Sequence, residues 1–211
     1  MPKVTSEYLA EKRNYIIDCT GEILKEKPLY LITMRDIIVK AGFSQGAIYR
    51  YYAGLDEIYV DFINRHTAPT SLEQRLDTVL SSGQSEKVVL AECLKAMGVY
   101  IAEMMESVAG KAFFELTVLY AYDIEKRDAI YPRLKVKQSI EYAQHKIVEY
   151  VLSNVEKGVF HPLIPVSSIV QFVSIFTDGT AQSVATNAVN TPDIVEMYHI
   201  LAQAILGFLE G

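Results

Sequence analysis

The fold is decided by residues 33–52, which read TMRDIIVKAGFSQGAIYRYY. Thr33 is a good N-cap, and apolar residues follow it at 34, 37, 38 and 41, the spacing of a helix that buries one face. Gly42 suits the turn that comes next, because such turns often need a left-handed residue, and Ser44 can cap another helix. The pattern predicts two short helices joined by a tight turn.

This pair of helices has a known use in DNA recognition, in which the second helix enters the major groove while the first braces it. Gln45 can pair with an adenine edge, and Arg50 can read guanine or hold a phosphate. Small residues at 46 and 47 let the backbone approach the groove closely. We expect these DNA-binding residues: Thr33, Met34, Arg35, Ser44, Gln45, Gly46, Ala47, Tyr49, Arg50 and Tyr51.

The rest of the chain also has helical periodicity, which predicts an all-α protein of about nine helices. The stretch HTAPTS at 66–71 interrupts the pattern, so we place a junction there between a helix-turn-helix domain, 1–66, and a second helical domain, 67–211. No alternating pattern is long enough to build a sheet. Beyond the junction, helices are expected near 72–82, 85–108, 111–128, 133–157, 166–188 and 192–210.

The composition is that of a globular chain, with 211 residues, of which half are hydrophobic and 22% are charged. The N-terminal segment is charged and has no apolar stretch of signal-peptide type. No window approaches about 18 uninterrupted apolar residues, so no membrane span is expected. Cys19 and Cys93 lie far apart and are expected to be free thiols in a reducing compartment, so we expect a cytoplasmic protein.

The net charge of −6 is unfavourable for binding phosphate. Residues 1–66 contain nine Lys and Arg and nine Asp and Glu, so the acidic excess belongs to residues 67–211. DNA affinity must therefore come from where the positive charges of the first domain are located.

Residues 33–52 resemble the recognition motif of the tetracycline-repressor (TetR) family. The matching positions are Thr33, Ile37, Ala41, Gly42, Ser44, Gly46, Ile48, Tyr49 and Tyr52, followed by Asp56, Glu57 and Ile58. The stretch EKGVFHP at 156–162 and the pair Asp178–Gly179 are similar to the family's C-terminal half. The resemblance implies a transcription regulator that binds a palindromic operator as a homodimer, represses, and is released by a small molecule bound in residues 67–211.

Three positions depart from the family pattern. Leu55 stands where the family usually has a lysine that holds a phosphate, Tyr51 replaces a histidine or other polar residue, and Ile38 replaces a small alanine. The loss of a lysine at 55 predicts a shallower dependence of DNA affinity on salt. Cations that could compensate from the flanks are Lys12, Arg13, Arg35 and Lys40.

Aromatic and methionine residues are dense between 97 and 122. They could be ordinary core or the wall of a pocket, and the family resemblance implies a pocket nearby. We expect an apolar or aromatic effector, and Glu103 and Glu115 could serve a cationic one. The expected ligand-binding residues are Met97, Tyr100, Met104, Phe113, Phe114 and Tyr120.

The last two helices are apolar on more than one face, over 168–176 and 194–209. Such a helix must be buried on two sides, one against its own subunit and one against a partner. This predicts a homodimer with a four-helix interface. The expected interface residues are Phe172, Phe176, Met197, Leu201, Ile205 and Phe208.

No catalytic, metal or cofactor site is expected. The four histidines have no metal-ligand spacing, and the chain has no Ser-His-Asp set, glycine-rich phosphate loop or CxxC pair. The expected partners are double-stranded DNA, a small-molecule effector and a second copy of the chain. Two alternatives stay open: a ligand-sequestering or interaction protein with a degenerate helix-turn-helix, and a small all-α enzyme.

Overall fold

The computed structural model describes residues 5–67, 70–185 and 193–210. Within these ranges the secondary structure is helical apart from turns and one isolated β-bridge between His161 and Glu210, so the all-α prediction is confirmed. The α-helices are α1 Ser6–Glu26, α2 Met34–Ala41, α3 Gln45–Ile48, α4 Leu55–His66, α5 Thr70–Leu80, α6 Glu86–Glu106, α7 Val108–Leu119, α8 Ile124–Ile130, α9 Lys135–Glu156, α10 Val166–Ala185 and α11 Ile194–Phe208; short 3-10 helices lie at Leu29–Leu31 and Tyr131–Arg133.

The prediction of a single helix over 111–128 is wrong. Helix α7 ends at Leu119, and α8 begins at Ile124 after a cap in which the Asp123 carboxylate accepts a hydrogen bond from the Lys126 backbone N–H at 3.1 Å. An aspartate that caps a helix competes with continuation of the helix before it. The expected end of α10 at 188 and start of α11 at 192 lie outside the described residues.

The chain forms two compact units. The first comprises the described residues of Met1–Ala68 together with Ser107–Lys135, and the second comprises those of Pro69–Glu106 and Val136–Gly211. The first unit therefore contains α1–α4, α7 and α8, whereas α5, α6 and α9–α11 form the second. The division expected at 66 and 67 did not anticipate that residues 107–135 pack with the N-terminal helices.

The first unit is organised around one apolar core. Its members come from α1, α2, α3 and α4 because each of these helices has its apolar residues on one face. Helix α7 adds Phe113 and Leu116, which are also buried. Burial of each large aliphatic side chain stabilises the unit by about 1.5–3 kcal/mol. The hydrophobic residues of this unit that are at most 1% exposed are Ile16, Leu29, Ile37, Ile48, Tyr52, Ile58, Ile63, Leu116 and Leu134.

The second unit is built on α6, which is buried around most of its circumference and packs most extensively against α11. Gly98 allows this close approach, because a Cβ added there would lie 2.5 Å from the Cβ of Tyr198. Tyr198 is fully buried, and its hydroxyl forms a 2.7 Å hydrogen bond with the Thr177 hydroxyl.

Cys19 and Cys93 are buried free thiols. Among the described helices, none combines the length and the apolar character needed to cross a lipid bilayer.

Gly98→Ala should lower the stability of the second unit by about 1–3 kcal/mol, because the added methyl group overpacks the contact between α6 and α11. Thermal unfolding followed by circular dichroism measures this change. Gly46→Ala is the matched control, because a Cβ added at Gly46 meets no atom within 4 Å. An unchanged melting temperature for Gly98→Ala would show that α6 and α11 can move apart to accommodate the methyl group without loss of stability.

Candidate nucleic-acid interface and apolar cleft

Helix α2 begins at a complete capping box. The Asp36 backbone N–H donates to the Thr33 hydroxyl oxygen at 3.3 Å, and the Asp36 carboxylate accepts from the Thr33 backbone N–H at 2.7 Å. The Lys27 ammonium lies 2.8 Å from the same carboxylate. Hydrogen bonds from Lys27 and then from Thr33 hold the pKa of Asp36 well below its usual range. This network fixes where α2 starts.

The turn between α2 and α3 has the geometry that the sequence predicts. Gly42 has a φ of 68°, in the left-handed region that glycine adopts without strain. Ser44 then caps α3, since its hydroxyl accepts from the Ala47 backbone N–H at 3.3 Å. Ile48 is fully buried and anchors α3 on the core. Helix α3 ends at Ile48, and residues 49–51 continue as a turn.

The predicted DNA-binding residues all lie on α2, on α3, at their caps or in the turn after α3, and none of them is buried. Met34, Ala47 and Tyr51 are half-buried and the other seven are exposed. Arg35 and Arg50 form no ion pair with any residue that the structure describes. This surface therefore presents two uncompensated guanidinium groups beside the amide of Gln45.

Arg13 fixes the turn that follows α3. Its guanidinium donates to the Tyr51 carbonyl oxygen at 2.9 Å, lies 2.6 Å from the Asp61 carboxylate, and sits 4.2 Å from the centroid of the Tyr52 ring. The Tyr52 hydroxyl donates to the same carboxylate at 3.0 Å. Burial first, and then Asp61, raises the pKa of the Tyr52 hydroxyl. Arg13 thus joins α1, the turn and α4.

This network corrects one expectation from the sequence. Of the cations that were expected to compensate for Leu55, Arg13 pairs with Asp61, Lys40 lies 3.6 Å from Glu26, and Lys12 lies 4.0 Å from Glu11. Among these four, only Arg35 has no carboxylate partner within the described residues. Sequence could not distinguish them, because each pairing depends on how the helices pack.

Helices α7 and α8 contact the start of α4 and the segment before α2. The Tyr120 hydroxyl donates to the Asp56 carboxylate, and the Lys126 ammonium lies 3.6 Å from that carboxylate. The Glu115 carboxylate accepts from the Leu29 backbone N–H at 2.5 Å. Glu115, which could have served a cationic ligand, is therefore occupied by the backbone.

An apolar cleft in the second unit lies between α6, α9 and α10, with Ile205 of α11 at its wall. Its cavity measures about 40 Å³, and Gln144 is its one polar lining residue. The residues that line it are Leu90, Leu94, Met97, Gln144, Ile147, Val148, Val151, Val166, Ile169, Val170, Val173 and Ile205.

The structure divides the predicted ligand-binding residues between the two units. Phe113, Phe114 and Tyr120 belong to the first, and Met97, Tyr100 and Met104 lie on α6 of the second. Met97 is the member of the set that lines the cleft. The sequence search favoured aromatic and methionine residues, and it missed the valines and isoleucines of α9 and α10 whose helical spacing would have indicated the same wall.

The predicted dimer residues also differ in exposure. Leu201 and Ile205 are 1% and 2% exposed, so they pack inside their own unit. Phe176, Met197 and Phe208 are half-buried, whereas Phe172 is 42% exposed. Further apolar side chains stand exposed on the same two helices, namely Ile175 on α10 and Val195 and Ile200 on α11.

The described residues include no group of three or more His, Cys, Asp or Glu side chains placed to hold a metal ion.

Comparison with known proteins gives a consistent result. Residues 16–61 match the family model described as bacterial regulatory proteins, tetR family. The chain is 22% identical over 182 residues to the uncharacterized HTH-type transcriptional regulator YfiR of Bacillus subtilis (strain 168), which covers 86% of this chain and 84% of that protein.

Solved structures share the fold. FadR from Bacillus subtilis, in complex with stearoyl-CoA, is similar with a TM-score of 0.60 and 14% identity, covering 93% of this chain and 98% of that one. The ketosteroid transcriptional regulator KstR2 of Mycobacterium tuberculosis is similar with a TM-score of 0.56 and 20% identity, covering 94% and 95%.

Asp36→Asn should lower the melting temperature at pH 7, and the difference from the unaltered protein should shrink as the pH falls. The pKa of Asp36 is lower in the folded state, so its contribution to stability is complete above the unfolded-state pKa, about 4, and declines progressively as the pH falls from there towards the folded-state pKa. Thermal unfolding between pH 7 and pH 3 tests this. In a Lys27→Gln background, Asp36→Asn should lower the melting temperature by less. A difference in melting temperature that does not depend on pH would contradict the lowered pKa of Asp36.

Proposed function

We propose that this chain is a transcription regulator rather than an enzyme, and that it binds a palindromic operator as a homodimer and represses transcription until a small molecule releases it. The proposal is supported by the match of residues 16–61 to the tetR family of bacterial regulatory proteins and by the likeness to an HTH-type transcriptional regulator. One observation carries the proposal: the face made by α2, α3 and the following turn is exposed, and Arg35 and Arg50 on it have no ion pair within the described part of the chain. We place this regulator in the cytoplasm, where bacterial DNA is located.

The short helix α3 is suited to reading the major groove. Gln45 lies in its first turn, and residues at the start of a recognition helix are those that reach base edges. Gly46 adds no side chain to this surface, and the space around it is open, so the backbone can come close to DNA. Tyr49 is 47% exposed and carries a hydroxyl that can donate to a phosphate.

The charge pattern predicts modest electrostatic affinity. On this face, the two arginines of each subunit without an ion pair among the described residues give about four phosphate contacts per dimer, and hence a slope of log affinity against log salt of about −4. The absence of a lysine at position 55 and the internal pairing of Arg13 and Lys40 keep the slope this shallow.

The same observations favour one alternative, a ligand-sequestering protein whose helix-turn-helix no longer binds DNA. Leu55 is half-buried at the start of α4, where it can offer no charge to a phosphate. The two functions differ in a single measurable property, which is binding to duplex DNA at low salt.

The cleft between α6, α9 and α10 is our candidate effector site. Its lining is apolar. Of two proteins with a similar fold, FadR is in complex with stearoyl-CoA, which carries a long acyl chain, and KstR2 is described as a ketosteroid transcriptional regulator. A cavity of about 40 Å³ is much smaller than the roughly 300 Å³ of a usual ligand site. An effector must therefore separate the lining helices, and a state that it favours in this way can bind DNA less well.

We propose that a second copy of the chain packs against the exposed apolar faces of α10 and α11. Phe172 and Ile175 are exposed on α10, and Ile200 is exposed on α11. An added Cβ at Gly179 of α10 meets no atom within 4 Å, so another helix has room to approach there. Two helices from each subunit would complete a four-helix interface, which buries these apolar side chains.

Selection from random DNA duplexes at two salt concentrations tests the proposal. A palindromic site should be enriched, Tyr49→Ala should weaken binding to it about tenfold, and Arg50→Gln should reduce the salt slope by about 1 for each subunit. Tyr122→Ala is the matched control, because this tyrosine is 98% exposed on the loop between α7 and α8. Negligible binding at low salt, with no sequence enriched, would favour the sequestering alternative.

Ile175→Glu should convert the dimer to a monomer, because a charge buried against an apolar partner helix loses its hydration. Sedimentation velocity measures the mass, and the same variant should lose affinity for the two-part operator. Ile124→Glu is the control, since Ile124 is comparably exposed on α8 of the first unit. A dimer that survives Ile175→Glu would place the interface elsewhere.

A further inference from the structure

A second cavity lies within the first unit. It is an open groove of about 500 Å³, a volume within the range of roughly 300–1,000 Å³ that is usual for small-molecule sites. Its walls come from the segment before α2, the starts of α2 and α4, the end of α7 and the start of α8. Besides leucine, isoleucine and methionine side chains, three tyrosines line it: Tyr30, which is 63% exposed, and the buried Tyr59 and Tyr120. The groove therefore offers apolar and aromatic surface to a ligand.

The charged groups of the groove carry an excess of negative charge. Asp56 and Asp123 line the groove together with one cation, Lys126. The Glu115 carboxylate accepts from the backbone N–H of a further lining residue, so it lies beside the groove. Burial first, and then carboxylates that include Asp56 and Glu115, raise the pKa of the Tyr59 hydroxyl. A negative potential has this effect on a phenol.

The groove already seats one ammonium group. The Lys126 Nζ lies 4.9 Å from the centroid of the Tyr120 ring and 3.6 Å from the Asp56 carboxylate. Both neighbours attract a cation, the ring through its quadrupole and the carboxylate through its charge. The Lys126 side chain is 48% exposed and has a flexible stem, so it can leave this place for solvent. The ammonium group of a ligand can then take the same place.

Other classes of ligand fit the groove less well. An anion would meet Asp123 and Glu115, neither of which has an ion pair within the described ranges, while the lining cation Lys126 is already paired with Asp56. The described residues hold no group of three metal-ligating side chains, so the excess charge does not indicate a metal site. A neutral apolar molecule would leave that charge without a partner.

We propose that this groove binds an organic monocation that has an ammonium group on an aromatic or aliphatic body. The ammonium group replaces that of Lys126 beside Asp56 and the Tyr120 ring, and the body packs on the apolar lining. This site is separate from the proposed effector cleft and does not depend on DNA binding. Met34 and Leu55, the first residues of α2 and α4, also line the groove. A bound cation therefore lies beside the starts of both helices.

Titration of the full chain with three probes, followed by ligand-observed NMR, tests the charge preference. The probes are 3-phenylpropylamine, which is protonated at pH 7, 3-phenylpropionate and 3-phenyl-1-propanol, and they share one body. We expect the amine to bind at least about fivefold more tightly than the other two, because only the amine gains the ion pair and the aromatic contact. Equal or tighter binding of the propionate or of the alcohol would overturn the proposal.

Two variants locate the amine in the groove. Asp123→Asn should weaken it about threefold, and the fold is retained because asparagine also caps a helix. Asp128→Asn is the matched control, since it removes the same charge from an exposed residue of α8 that does not line the groove. Lys126→Met should strengthen amine binding about threefold by removing the competing ammonium group. Equal effects of the two asparagine variants, or weaker amine binding by Lys126→Met, would overturn the proposal.

Discussion

The candidate recognition surface depends on one half-exposed cation, Arg13. Its guanidinium joins the Tyr51 carbonyl oxygen, the Asp61 carboxylate and the face of the Tyr52 ring, and so fixes the turn after α3 against α1 and α4. Helix α3 has only four residues, too few to be stable by its own hydrogen bonds. Its orientation is therefore set by contacts at both ends, by Ile48 on the core and by the turn that Arg13 fastens.

Helices α7 and α8 give the first unit a part that is distant in sequence. Glu115 accepts from the Leu29 backbone N–H, and Tyr120 donates to Asp56 at the start of α4. Both contacts are charge-assisted hydrogen bonds, which are stronger than neutral ones. A movement of α7 would therefore act directly on the start of α4 and on the segment that precedes α2. The neighbouring α6 belongs to the other unit, although only one residue separates it from α7.

In the second unit, shape and polarity are set by different residues of one helix. Gly98 allows α11 to lie close to α6, whereas Met97 lines the apolar cleft and Tyr100 is buried outside its lining. Close packing usually leaves little space and pairs every polar group. The cavity departs from the first rule, and the Tyr100 hydroxyl, which has no hydrogen-bond partner among the described residues, departs from the second.

The sequence by itself determined the all-α class, the caps at Thr33 and Ser44 and the turn at Gly42, because each depends on local spacing or on backbone preferences. Only the tertiary structure decided the break between α7 and α8, the grouping of α7 with α1–α4, and the inward role of Arg13. It also decided that Leu201 and Ile205 face their own unit while Ile175 faces outward. The reason is physical: a periodic pattern shows which faces of a helix are apolar, but the element that covers each face depends on contacts between residues far apart in the chain.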